Sequence, residues 1–374
     1  MKSKFIPISK PWVGEDEIRA IKEQILKCNL TNASAEGGEA VREFERLISA
    51  YTGAKHAIAM NSGTSAILAS LMALGIKKGD EVIVPSFTFL STVNTVLMVG
   101  AKPVFADITL DNYGLNPDDV KRKITRKTKA VILVHLYGYP AYVDEIKELT
   151  EEHGLYLIED SAQALGSKFK GKQVGVFGIV GCFSTYPSKI ITTGEGGFVI
   201  TDDDELAWKL RVIRTHGQER LYESKILGLN LRMPELLAAM GIVQMKKLDR
   251  ILSLRRNIAE KYNKELSGLG LILPKERKNA VFNWNYYTVR IIKKNRDEIL
   301  QILNEKGIGA TVYYRRPVHH SPIYKRLGYD VKLRNTEIAC RTVLSLPIYP
   351  GLTNRQVDYV IRVFKSTLIA NRPI

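Results

Sequence analysis

Cysteine is scarce in this 374-residue chain. Cys28, Cys182 and Cys340 stand far apart, and none forms a CxxC pair. That spacing supports neither a zinc ribbon nor a disulfide framework, and a reducing, cytoplasmic setting is expected. Long apolar runs are missing too. No stretch approaches the roughly 20 residues of a membrane span, and no apolar segment follows the basic start Met1–Pro7 as a secretory leader requires. No membrane partner is therefore expected. Internal repeats and low-complexity segments are absent. Acidic residues are short relative to basic ones, 39 against 55, a formal net charge of +16. Such an excess favours anionic partners. The basic residues are scattered, however, with only local clusters such as Lys121-Arg122-Lys123 and Arg315-Arg316. A focused basic stripe is lacking, so phosphorylated small molecules are expected and nucleic acid is not. No acidic or cysteine partner is spaced to complete a metal site with His319 and His320, so no metal is expected.

What is present is an ordinary globular composition, 45% hydrophobic and 25% charged, long enough for a large domain and a smaller one. From residue 55 short apolar runs alternate with helical patterns. His56–Met60, Glu81–Val84, Pro103–Ala106, Ala130–Val134 and Leu155–Ile158 read as strands. Helices are expected over Ser65–Leu74 and Val143–His153. Apolar runs between helices signal strands covered on both faces, hence a mainly parallel α/β sheet. After Thr201 the pattern changes. Met233–Leu266 is one long helical stretch, with Pro234 suited to its first turn. Tyr286–Ile292 reads as a strand, and Arg296–Lys306 and Gln356–Phe364 as helices. This predicts a large α/β domain over residues 1–250 and a smaller C-terminal α+β domain over 251–374.

Three segments carry chemistry. Asn61-Ser62-Gly63-Thr64-Ser65 follows a strand and opens a helix, where free N–H groups and the helix dipole favour a phosphate. Alone, the turn also reads as ordinary N-capping. Asp160, in Glu159-Asp160-Ser161-Ala162-Gln163, falls at the carboxyl end of an apolar strand, where open α/β sheets bind ligands. It needs a partner there: a protonated pyridine nitrogen is one, and the start of a helix it caps is another. The third segment, Phe183-Ser184-Thr185-Tyr186-Pro187-Ser188-Lys189, leads to Gly194-Glu195-Gly196-Gly197. A desolvated lysine in such a turn is a nucleophile toward carbonyls, although most lysines of the chain are surface residues. The order matters: phosphate cradle, strand-end carboxylate, then lysine on a glycine-rich turn is how many enzymes hold pyridoxal 5′-phosphate (PLP).

With Ile8-Ser9-Lys10-Pro11, Glu43-Phe44-Glu45, Val84-Pro85-Ser86-Phe87-Thr88-Phe89, Val134-His135-Leu136-Tyr137-Gly138, Leu229-Asn230-Leu231-Arg232-Met233 and Leu344-Ser345-Leu346-Pro347, the ordered set resembles the DegT-type (DegT/StrS) PLP-dependent nucleotide-sugar aminotransferases over nearly the whole chain. The resemblance implies an aminotransferase of fold type I and a set of residue roles. Lys189 would hold PLP covalently and act as base and acid. Asp160 would keep the ring nitrogen protonated, Gln163 would bond the ring hydroxyl, and Phe89 would stack on the ring, core packing being its other reading. Gly63, Thr64, Ser65 and Ser184 would bind the phosphate, joined by Asn230 from a second subunit of a homodimer with shared active sites. The other reading of Asn230 is a cap on the following helix. Glutamate would be the amino donor and a nucleotide-linked keto sugar the acceptor. Arg232, Tyr313, Arg315, Arg316 and His319 are the candidate substrate residues. Ile190 departs from the Asn common after the family's lysine, and Tyr313–His320 departs from a shorter turn beside the substrate, which leaves the acceptor open. Amination of a cyclitol ketone and a PLP-binding regulator without turnover are the alternatives.

Overall fold

The computed structural model describes residues 5–220 and 222–370. Its centre is a seven-stranded sheet: β1 (His56–Met60), β2 (Glu81–Pro85), β3 (Lys102–Ala106), β4 (Thr128–Val134), β5 (Tyr156–Asp160), β6 (Val180–Ser184) and β7 (Gly197–Thr201). The spatial order is β1-β7-β6-β5-β4-β2-β3. Strands β2 to β6 pair in parallel, and β7 alone runs antiparallel, to β6 on one side and β1 on the other. Val82, Ile83, Val84 and Ala130–Leu133 are fully buried. Helices cover both faces, which is why these strands read as unbroken apolar runs rather than alternating ones. The α/β fold with a mixed, mostly parallel sheet is the expected one.

The helix starts lie close to expectation, at Gly63–Ala73, Val143–Glu152 and Arg296–Glu305. Pro234 differs: it is the extended residue just before the long helix Glu235–Leu266, not part of its first turn. The division expected at residue 250 falls inside this unbroken helix. A second, three-stranded antiparallel sheet joins Leu271–Ile272, Tyr287–Ile291 and Val343–Leu346. The N-terminal segment also lies against the C-terminal region. Ile6 bridges Ile308, with its N–H donating to the Gly307 carbonyl at 2.8 Å. Among the described residues no helix is long and apolar enough to cross a membrane.

Candidate active site

A cavity of about 650 Å³ opens at the carboxyl ends of β1, β5 and β6. Parallel strands deliver their C-terminal residues to one rim, and the loops there are free to vary. Gly63 and Thr64, which open the helix after β1, line one end. Their N–H groups have no acceptor in the helical ladder, and none elsewhere among the described residues. Ser65 is different. Its N–H donates to Ser62 Oγ at 3.0 Å and its hydroxyl to Asn61 Oδ1 at 2.6 Å. Capping has consumed its donors, so the expectation that Ser65 helps bind phosphate gives way to Gly63 and Thr64. Ser184, at the end of β6, lines the same end. Its Oγ accepts the Tyr186 N–H at 3.3 Å, leaving its own hydrogen free.

Close backbone approach makes this end. A Cβ on Gly63 would meet Ser184 Cβ at 2.8 Å, and one on Gly197 would meet Gly63 N at 2.6 Å. Lys189 sits in the turn between β6 and β7. The turn is pinned by Thr185 N–H to the Gly196 carbonyl, Thr193 N–H to the Thr185 carbonyl, both 2.9 Å, and by the two threonine hydroxyls at 2.6 Å. Lys189 is half-buried in the cavity wall. Burial pulls its ammonium down to about 8, against the opposing pull of Asp160.

Asp160 is buried and lines the cavity. No helix starts behind it, so it caps none. Burial raises its carboxyl above the usual range, opposed chiefly by the hydrogen bonds from Thr92 and the Ala162 N–H and by the nearby Lys189. The Thr92 hydroxyl donates to Oδ2 at 2.7 Å and lies 2.9 Å from the Thr88 hydroxyl. Gln163 accepts the Tyr137 N–H through Oε1 at 2.8 Å, which leaves Nε2 only a long 3.4 Å contact to Tyr314. Phe89, at the mouth, is 57% exposed, which rules out the core-packing reading. Thr92, Tyr286 and Tyr314 also line the cavity and were not singled out from the sequence. A buried carboxylate needs donors, and the threonine repeat 88-92-95 beside the strand was the available signal for Thr92.

These groups fit PLP. Unsatisfied N–H groups and a hydroxyl await an anion at one end. A buried carboxylate suits a protonated ring nitrogen, and a half-buried amine lines the same cavity.

The substrate candidates are not brought together. Tyr313 lines the cavity. Arg315 turns to Asp297 at 2.9 Å, and Arg316 is exposed outside the cavity. Arg232 donates to Thr215 Oγ1 at 3.0 Å and does not reach the cavity. His319 is a correction. It is 1% exposed, with Nδ1 2.6 Å from Ser86 Oγ and its ring against Phe105, so it serves packing and does not face the cavity. Asn230 is exposed and, within one chain, outside the cavity. It does not cap the following helix, whose cap is Pro234.

The profile of the DegT/DnrJ/EryC1/StrS aminotransferase family matches residues 15–365. The chain is 42% identical to the pleiotropic regulatory protein of Geobacillus stearothermophilus, over 87% of this chain and 88% of that one. It is 35% identical to the GDP-perosamine synthase of Vibrio cholerae, over 97% and 99%. The crystal structure of S. venezuelae DesV with a ketimine intermediate superposes with a TM-score of 0.91 at 34% identity, covering 98% of this chain and 99% of that one. Aminotransferases of this family depend on PLP. The chain belongs to the DegT/DnrJ/EryC1/StrS family and is a PLP-dependent sugar aminotransferase.

Proposed function

We propose that the enzyme moves the amino group of glutamate onto the keto group of a nucleotide-linked deoxy sugar. One observation carries the reading: Lys189, its ammonium drawn down to about 8, shares a cavity with buried Asp160. A lysine near neutrality can take a proton from the donor's α-carbon and return it at another carbon. Bound PLP supplies the electron sink for that transfer. Asp160 holds a proton on the ring nitrogen, Gln163 Nε2 donates to the ring hydroxyl, and Phe89 covers the ring face. Gly63, Thr64 and Ser184 grip the phosphate. The acceptor class is supported by the GDP-perosamine synthase relative.

Among the described residues no arginine lines the cavity of a single chain. A diphosphate-linked substrate therefore favours a homodimer in which a second subunit supplies Asn230 and cationic groups. Mixing Asn230→Asp with Lys189→Ala subunits should restore about a quarter of wild-type activity, because half the dimers then carry one sound site. The function itself is tested by offering glutamate and a panel of nucleotide-linked keto sugars and scoring amino-sugar product. Product from cyclitol ketones alone would replace the acceptor. No spectral response of the bound cofactor to glutamate, glutamine or aspartate would favour the regulator.

A further inference from the structure

One buried carboxylate has no part in the chemistry above. Glu159 directly precedes Asp160 on β5, and strand alternation sends the two side chains to opposite faces. Glu159 is wholly buried. Its Oε1 accepts the N–H groups of Phe177 and Gly178, both at 2.7 Å. Its Oε2 accepts the Gly175 N–H at 2.7 Å and faces His135 Nε2 at 2.8 Å. The other ring nitrogen, Nδ1, accepts the Ala141 N–H at 3.1 Å. The imidazole therefore carries its hydrogen on Nε2 and is neutral. All four partners of Glu159 are then donors. A protonated carboxyl would have to aim its O–H at an N–H group, so this network fits only the carboxylate.

His135 grips β5 twice. Its ring holds Glu159, and its backbone N–H donates to the Asp160 carbonyl at 3.1 Å. Other titratable groups bear on this strand end. Lys189 acts on Asp160 from the turn after β6, the Cys182 thiol on β6 feels both carboxylates, and the Tyr314 hydroxyl feels Asp160. Burial raises both Cys182 and Tyr314, so neither adds charge near neutral pH. Among the described residues two carboxylates thus stand at the end of β5 against one cation, Lys189.

We propose that Glu159 is a positioning residue for the cofactor ring: locked by neutral His135 and three backbone N–H groups, it fixes the strand end that carries Asp160 and adds a second buried negative charge that keeps a proton on the ring nitrogen. This rests on the ring-nitrogen role given to Asp160. Its effect is an electrostatic one through a low-dielectric interior.

The test is the 15N resonance of holoenzyme loaded with PLP labelled at the ring nitrogen, which needs no turnover and so stands apart from the choice of donor and acceptor. Wild type should stay protonated from about pH 6 to 9, and Glu159→Gln should lower the deprotonation midpoint by about one unit or more, bringing it toward that range. The donor half-reaction should slow about tenfold with its donor KM unchanged, the rate equivalent of one unit. A Glu159→Gln holoenzyme whose 15N signal follows wild type at every pH overturns the proposal. If that variant fails to retain PLP, Glu159→Asp and His135→Asn carry the test. Both keep the carboxylate, so both should loosen PLP yet leave the nitrogen protonated. A move to the unprotonated position in either overturns the role of the charge.

Discussion

The cavity wall made by the ends of β1, β5 and β6 carries its polar groups on residues locked by the sheet. A second wall is formed by Tyr313 and Tyr314, the start of a loop over residues 313–320 whose charged side chains turn away from the cavity. On the first wall Thr88 and Thr92 lead to Asp160, Tyr137 orients Gln163, and two threonines pin the Lys189 turn. Along the loop that follows the second, Arg315 is spent on Asp297 and His319 on Ser86, and neither lines the cavity. Chemistry at the cofactor needs fixed atoms, and a sheet edge provides them. Recognition of a large substrate can be left to loops and to a second chain.

The largest test of that contrast is Lys189→Ala. It should cost about 10³-fold or more in turnover, since both the covalent hold and the acid–base group go. Borohydride reduction followed by mass spectrometry should put the PLP adduct on Lys189 in wild type. An adduct on another lysine would dissolve the contrast. Next, Asp160→Asn should lower kcat about a hundredfold with the fold intact by circular dichroism. Near-wild-type turnover would remove the role given to this strand end.

A smaller effect concerns pH. Only the neutral amine attacks a carbonyl, and burial draws Lys189 down from 10.5 to about 8. Covalent capture of added PLP by the apoprotein should therefore rise about tenfold per pH unit below 8 and level off above it. A rate still climbing beyond about pH 9.5 would mean an ordinary lysine value. The smallest effect is expected on the second wall. Arg315→Ala should change KM by about twofold at most and stability by less than about 1 kcal/mol, because its ion pair with Asp297 is solvent-exposed. A tenfold rise in KM would show that the loop swings inward on binding.

Much of the first wall was legible in the sequence because each of its parts follows a strand. The apolar runs at Ala130–Val134 and Leu155–Ile158 located the carboxyl ends, and Asp160 stood at one of them. Fine capping was not legible: Ser65 and Gly63 look alike until the hydrogen bond to Ser62 is seen. The antiparallel sense of β7 was hidden as well, since Phe198–Thr201 is equally apolar in either direction. His319 misled because its neighbours in sequence, Tyr313 and Tyr314, do face the cavity, whereas the short helical turn Val318–His320 rotates it inward to Phe105. Asn230 lies outside the cavity of one chain, and the role proposed for it in a second subunit is nothing that a single chain's pattern of periodicity encodes.

The missing side chains of Gly63 and Gly197 act as the jaws of a caliper. Because β7 runs backwards between β1 and β6, the Gly63 turn and the lysine turn are spliced edge to edge, with backbone where a methyl group would have stood. The spacing of the Gly63 turn from the Lys189 turn is thereby set by backbone contact. A ligand that spans both turns would then be selected by size as well as by hydrogen bonding. An alanine at either glycine would act as a shim, opening the jaws while leaving every catalytic group in the chain.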